Sequence, residues 1–84
     1  MKAFVTVGLR PGVLDVQGKA VANALHDLGF ASVSDARVGK VIELDLHGVV
    51  DRDVAEVQVR DMCEQLLANT VIESYDIRIE APAR

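Results

Sequence analysis

The apolar residues of this 84-residue chain change their spacing repeatedly along its length, and that succession of periods restricts the fold more than any single motif does. In "KAFVTVGL", Ala3, Val5, Val7 and Leu9 alternate with Lys2, Phe4, Thr6 and Gly8, the pattern of a strand with one apolar face. From Val16 to Leu28 the spacing becomes helical through Ala20, Val21, Ala24, Leu25 and Leu28. Asp15 is placed to cap this helix and Gly29 to stop it. "SVSDARVGKVIELDLHG" returns to alternation and reads as two strands joined by a two-residue hairpin turn at Gly39-Lys40, with Ile42, Leu44 and Leu46 on one face. Asp51 then caps a second helix, with Ala55, Val59, Met62, Cys63 and Leu66 as its inner stripe and Glu56, Arg60 and Glu64 on its wet side. In "SYDIRIE", Tyr75, Ile77 and Ile79 alternate against Asp76, Arg78 and Glu80.

The order is therefore βαββαβ. Two right-handed crossovers in that order predict an α+β, ferredoxin-like two-layer sandwich, a four-stranded antiparallel sheet with both helices on one face. No linker or low-complexity stretch divides the chain, so residues 1–84 are expected to form a single domain. The other sheet face would carry Phe4, Thr6, Val41, Glu43 and Asp45, apolar enough to pack against a second copy, and this predicts a homodimer or a dimer of dimers. One register conflicts with the scheme: a two-residue turn sets Arg37 beside Ile42 and Asp35 toward Leu44, which suggests a longer loop or a bulge on that strand.

Composition removes several function classes. A net charge of −4, two phenylalanines, one tyrosine and no tryptophan provide neither the cationic field nor the stacking platform of a nucleic-acid binder. No apolar run approaches membrane-spanning length and no signal-peptide core opens the chain, so a cytoplasmic protein without a membrane partner is expected. A lone cysteine, Cys63, agrees with a reducing compartment.

The stretch "LRPGVLDVQGKAV" has the look of a phosphate loop and fails as one. A P-loop needs Gly, four residues, then Gly-Lys followed by Ser or Thr; here Val13 occupies the first glycine position and Ala20 follows Lys19. A Pro11-Gly12 turn leading into a capped helix accounts for the same residues. Cys63 lies on an apolar helix stripe with nothing to lower its pKa, and reads as structural rather than nucleophilic. His26 and His47 have no neighbours at ligand spacing, so no metal site is expected, and no pair of carboxylates suggests acid–base chemistry.

Together, "RPGVLDVQGKAV", Leu28 to Phe30 ("LGF"), "RVGKVIEL" from Arg37 to Leu44 and "MCEQLLANTVIESYDI" from Met62 to Ile77 resemble the PurS subunit family of phosphoribosylformylglycinamidine synthase. The similarity runs over nearly the whole chain. Val16 and Thr70 stand where that family commonly has proline, and Arg10 where it commonly has lysine. The resemblance implies a non-catalytic subunit that bridges a synthetase subunit of PurL type and a glutaminase subunit of PurQ type. It also implies a complex that uses ATP, Mg²⁺ and glutamine to convert formylglycinamide ribonucleotide (FGAR) into formylglycinamidine ribonucleotide (FGAM), with no cofactor held by this chain. For such a bridge the expected contact residues are Arg10, Pro11, Gly12, Val13, Leu14 and Asp15, together with the hairpin tip Gly39 and Lys40. The competing expectation is an ACT-like regulatory domain that binds a small molecule at a dimer interface, because the same element order serves both.

Overall fold

Lys2–Leu9 form the central strand, β1, flanked on both sides by antiparallel neighbours: β2 (Lys40–Asp45) and β3 (Glu73–Glu80), in the order β2-β1-β3. The computed structural model describes residues 1–80; residues 81–84, included in the single domain expected from sequence, lie outside the described residues. Alternation along β1 drives its placement. Ala3, Val5 and Val7 are fully buried, and the register sets Val5 between Ile42 and Ile77 and Ala3 between Leu44 and Ile79. Each buried valine contributes roughly 1.5–3 kcal/mol of transfer free energy. On the opposite face Lys2 pairs with Glu43, and the Arg78 guanidinium stands 4.6 Å from the centre of the Phe4 ring.

Asp51 caps α2 (Arg52–Met62), its carboxylate accepting the Asp53 N–H at 2.8 Å. Ala55, Val59 and Cys63 turn inward from this helix and complete the core with Ala68. The helix does not run on regularly: Cys63–Leu67 form a π-helical turn. Its wider turn advances each residue by less than the α-helical 100°, so Leu67 rather than Leu66 comes round to the core side. Leu66, expected on the inner stripe, is therefore 83% exposed; Met62, expected there too, ends α2 ahead of that turn, at the edge of the stripe, and is also exposed.

The structure differs most from the sequence expectation in the first half. The helix α1 (Val16–Asp27) forms where its cap and its stop, Gly29 at φ 100°, place it. However, it packs only marginally against the strands and α2. Its buried residues Gly18 and Ala22 instead face the returning segment, where a Cβ on Gly18 would collide with the Ala36 carbonyl. Residues 31–39 form no strand, so among the described residues the sheet has three strands rather than four and only α2 covers it. Helix and return segment make an arm that projects from the sheet. The radius of gyration is accordingly 16.4 Å, against about 12 Å for a compact chain of this length.

Candidate functional site

The arm joins the sheet at the C-terminal end of β1, where three chain segments meet. Asp15 organises two of them: its Oδ1 accepts the Gly18 N–H at 2.7 Å, closing the helix cap, and its Oδ2 accepts the Val38 N–H at 2.8 Å. Those bonds, Gly18 first and then Val38, hold the nearly buried carboxyl below the usual carboxylate range. Arg37 clasps the same loop from the other side. Its guanidinium donates to the carbonyls of Leu9 and Arg10, each at 3.2 Å, and to that of Val13 at 3.3 Å. These bonds explain the missing strand: Val38 gives its N–H to a side chain, and Arg37 turns toward the β1–α1 loop instead of pairing beside Ile42. The register conflict around Arg37, read from the sequence as a longer loop or a bulge, falls where the structure has no strand.

Of the expected contact residues, Arg10, Pro11, Gly12 and Leu14 lie on the surface of this loop, Leu14 being 71% exposed. Gly12 takes φ 90°, a conformation that other residues resist, and so fixes the turn. Val13 is half-buried and Asp15 nearly buried, so both support the loop from within. Arg10 is anchored: its backbone N–H donates to the Ile72 carbonyl at 2.8 Å, and its guanidinium donates to the Thr70 carbonyl at 3.1 and 2.9 Å. The turn before β3 is thereby tied to the same loop. Gly39 and Lys40 do reach this end of the sheet, but as no hairpin tip. Lys40 pairs with Val7 as the first residue of β2, and Gly39 lies so close to β1 that a Cβ there would come within 2.5 Å of the Val7 carbonyl.

An open cleft of about 510 Å³ lies in the angle between loop and arm, with Lys19, Asn23 and Ser34 on its walls. Its charges are mixed, Lys19 and Arg37 against Asp15 and Asp35, and no group there is poised as nucleophile or base. Cys63 is fully buried, and burial pushes its thiol above the ordinary value. Among the described residues no cluster of three His, Cys, Asp or Glu could hold a metal ion, and no helix is long and apolar enough to cross a membrane. What this end of the molecule offers is a rigid, shaped surface.

The family model described as PurS, phosphoribosylformylglycinamidine (FGAM) synthase, matches residues 2–81. The PurS subunit of phosphoribosylformylglycinamidine synthase from Bacillus subtilis is 49% identical over 94% of this chain and 92% of its own length. The crystal structure of Methanocaldococcus jannaschii PurS, described as one of the subunits of formylglycinamide ribonucleotide amidotransferase, is similar with a TM-score of 0.88 at 34% identity. It covers 98% of each chain, a span that includes the arm. A chain in the structure of PurLQS from Thermotoga maritima is similar with a TM-score of 0.80 at 31% identity, covering 92% of this chain and 94% of that one.

Proposed function

The chain belongs to the PurS family of phosphoribosylformylglycinamidine synthase, and from that premise we propose that it is the non-catalytic small subunit of such an enzyme, bridging a PurL-type synthetase and a PurQ-type glutaminase. The likeness to a chain of the PurLQS structure carries this proposal. Division of labour supports it: the complex uses ATP, Mg²⁺ and glutamine to make FGAM from FGAR, while this chain's lone thiol is sealed in the core away from any substrate. The compartment on this reading is the cytoplasm. Ammonia set free in neutral water is mostly protonated and lost as a nucleophile, so a subunit that joins the two active sites also helps to keep its path enclosed.

The clasped loop Arg10–Asp15 is the contact surface we assign to a partner subunit, since three segments hold it in one shape. The arm supports a homodimer or dimer of dimers. Leu28 and Phe30 are 73% and 56% exposed, and Ile42 and Leu44 on the helix-covered sheet face are only half-buried, so a second copy's arm would cover what this chain leaves open. The ACT-like alternative is not favoured; amino acids and purine precursors titrated into the chain alone should produce no binding heat.

Reconstitution tests the proposal. Synthetase and glutaminase with this chain should form FGAM from glutamine. Without it, glutamine-dependent synthesis should collapse while synthesis from added ammonium persists. A full glutamine-dependent rate in its absence would remove the bridging role. Leu14→Glu in the same assay should weaken assembly and leave the melt of the free chain unchanged; normal assembly would take the loop out of the interface.

A further inference from the structure

Beside the arm and its loop, a second surface is left unpartnered on the outside of α2. Val54, Val57, Met62 and Leu66 stand exposed there, and two adjoining grooves of about 280 and 390 Å³ share Gln58 between them. The exposure of Leu66 follows from the backbone. In a continuous α-helix Leu66 would fall on the core side with Val59 and Cys63; the π-turn at Cys63–Leu67 rotates it outward beside Met62. A local distortion that turns a leucine into water is retained more readily where something else covers that leucine.

The polar groups of the grooves indicate what that is. Asp53 and Asp61 flank the apolar residues, and neither carboxylate is paired with a cation among the described residues. Arg60, the one arginine between the two aspartates, is bonded to Glu56 at 3.0 Å, and Arg52, next to Asp53 at the start of α2, forms no ion pair with it. Eight residues of helix separate the two aspartates, about 12 Å along the axis. A second copy of the chain fits poorly here, because a two-fold antiparallel pairing of α2 centred on Val57 would bring Asp53 of one copy beside Asp61 of the other. We propose that the outer face of α2 receives a cationic amphipathic helix of another subunit, its apolar side chains on Val54, Val57, Met62 and Leu66 and its Lys or Arg residues opposite Asp53 and Asp61. This rests on the reading of the chain as one subunit of a multi-chain enzyme and adds a second contact surface, separate from the clasped loop.

The test uses the reconstituted assembly and two variants, Leu66→Glu and the pair Asp53→Lys with Asp61→Lys. Leu66→Glu should keep the parent's melt, the lysine pair should lower it slightly because Asp53 sits in the first turn of α2, and each should keep the free chain's own oligomeric state. Leu66→Glu should weaken association with the other subunits about tenfold or more, as loss of a buried apolar anchor does. The double lysine variant should also bind more weakly at low salt, and its binding should strengthen on adding salt where the parent's weakens. A photo-crosslinking side chain in place of Leu66 should capture a peptide with lysines or arginines from another subunit. If Leu66→Glu does not fold, Val57→Glu is read in its place. Normal association of the variants overturns the surface, as does a crosslink to a second copy or to a peptide without cations. Failure of the parent itself to associate overturns the subunit reading instead.

Discussion

Asp15 accepts the N–H of Val38, 23 residues away in sequence, at 2.8 Å while its other oxygen caps α1 through Gly18. One carboxylate thus starts the arm and ties its far end back to the sheet. Because these bonds hold its pKa below the unfolded value, the stability that it supplies is fully present above about pH 4 and is lost as the pH falls through the folded value.

Asp15→Asn can still cap α1 but puts an NH₂ in place of one of the two accepting oxygens, so it should lower the Tm at neutral pH by about 4–8 °C, the shift expected for loss of about one hydrogen bond to a charged group. The gap between parent and variant should close on acidification below about pH 4, as the parent's carboxylate is protonated. Thermal melts across a pH series measure this. A gap that stays constant down to about pH 2 would mean that the charge of Asp15 contributes nothing beyond its shape.

Gly18 and Gly39 should respond against ordinary propensity. Alanine in a helix interior is better than glycine by about 1 kcal/mol, yet Gly18→Ala should destabilise, because the Ala36 carbonyl and the Asp15 carboxylate occupy the space its methyl needs. Gly39→Ala should do the same against the Val7 carbonyl. A raised midpoint in denaturant for either variant would show that the return segment does not lie where it is described.

The exposed arm residues bear on oligomeric state. Leu28→Glu combined with Phe30→Glu should leave the protomer folded and shift the mass in light scattering to that of one chain, since two charges would be forced into the apolar contact. An unchanged mass would place the contact between copies elsewhere.

For Cys63 the expectation is inertness. Full burial and a raised thiol pKa should slow alkylation of the native protein at least about tenfold relative to the chain in denaturant. Cys63→Ser should cost about 1–3 kcal/mol by burying a hydroxyl, and should leave glutamine-dependent synthesis by the reconstituted enzyme intact. Loss of glutamine hydrolysis with assembly preserved would overturn the structural role.

Legibility in the sequence followed interaction range. Strand and helix periods, the caps at Asp15 and Asp51 and the alternation of Tyr75, Ile77 and Ile79 were all readable, because each depends on neighbours within a few residues. Where long-range polar bonds decided the outcome, reading failed. "SVSDARV" alternates well enough for a strand, but Asp15 and Arg37 draw its backbone to the β1–α1 loop, and local pattern carries no record of a partner 23 residues away. The π-turn escaped for a related reason: a helical wheel assumes 100° per residue, so it puts Leu66 inside and leaves Leu67 at the margin. Of the contact residues, the loop was evident from Pro11 and Gly12, whereas the support from Arg37, Val38 and Thr70 was not.

The strand order has a bearing on how the chain acquires its structure. β1, which precedes both its neighbours in the chain, is the middle of the sheet, and one of those neighbours, β3, begins more than sixty residues after β1 ends, with Lys2 opposite Glu80. A ribosome would add every residue between β1 and β3 while the hydrogen-bonding groups along one edge of β1 still lacked their partners. Such a chain has high contact order and folds late, and in the interval the apolar row Ala3, Val5 and Val7 is open to neighbouring chains. Truncations from the C-terminal side that remove β3 should therefore yield aggregates rather than a smaller folded core.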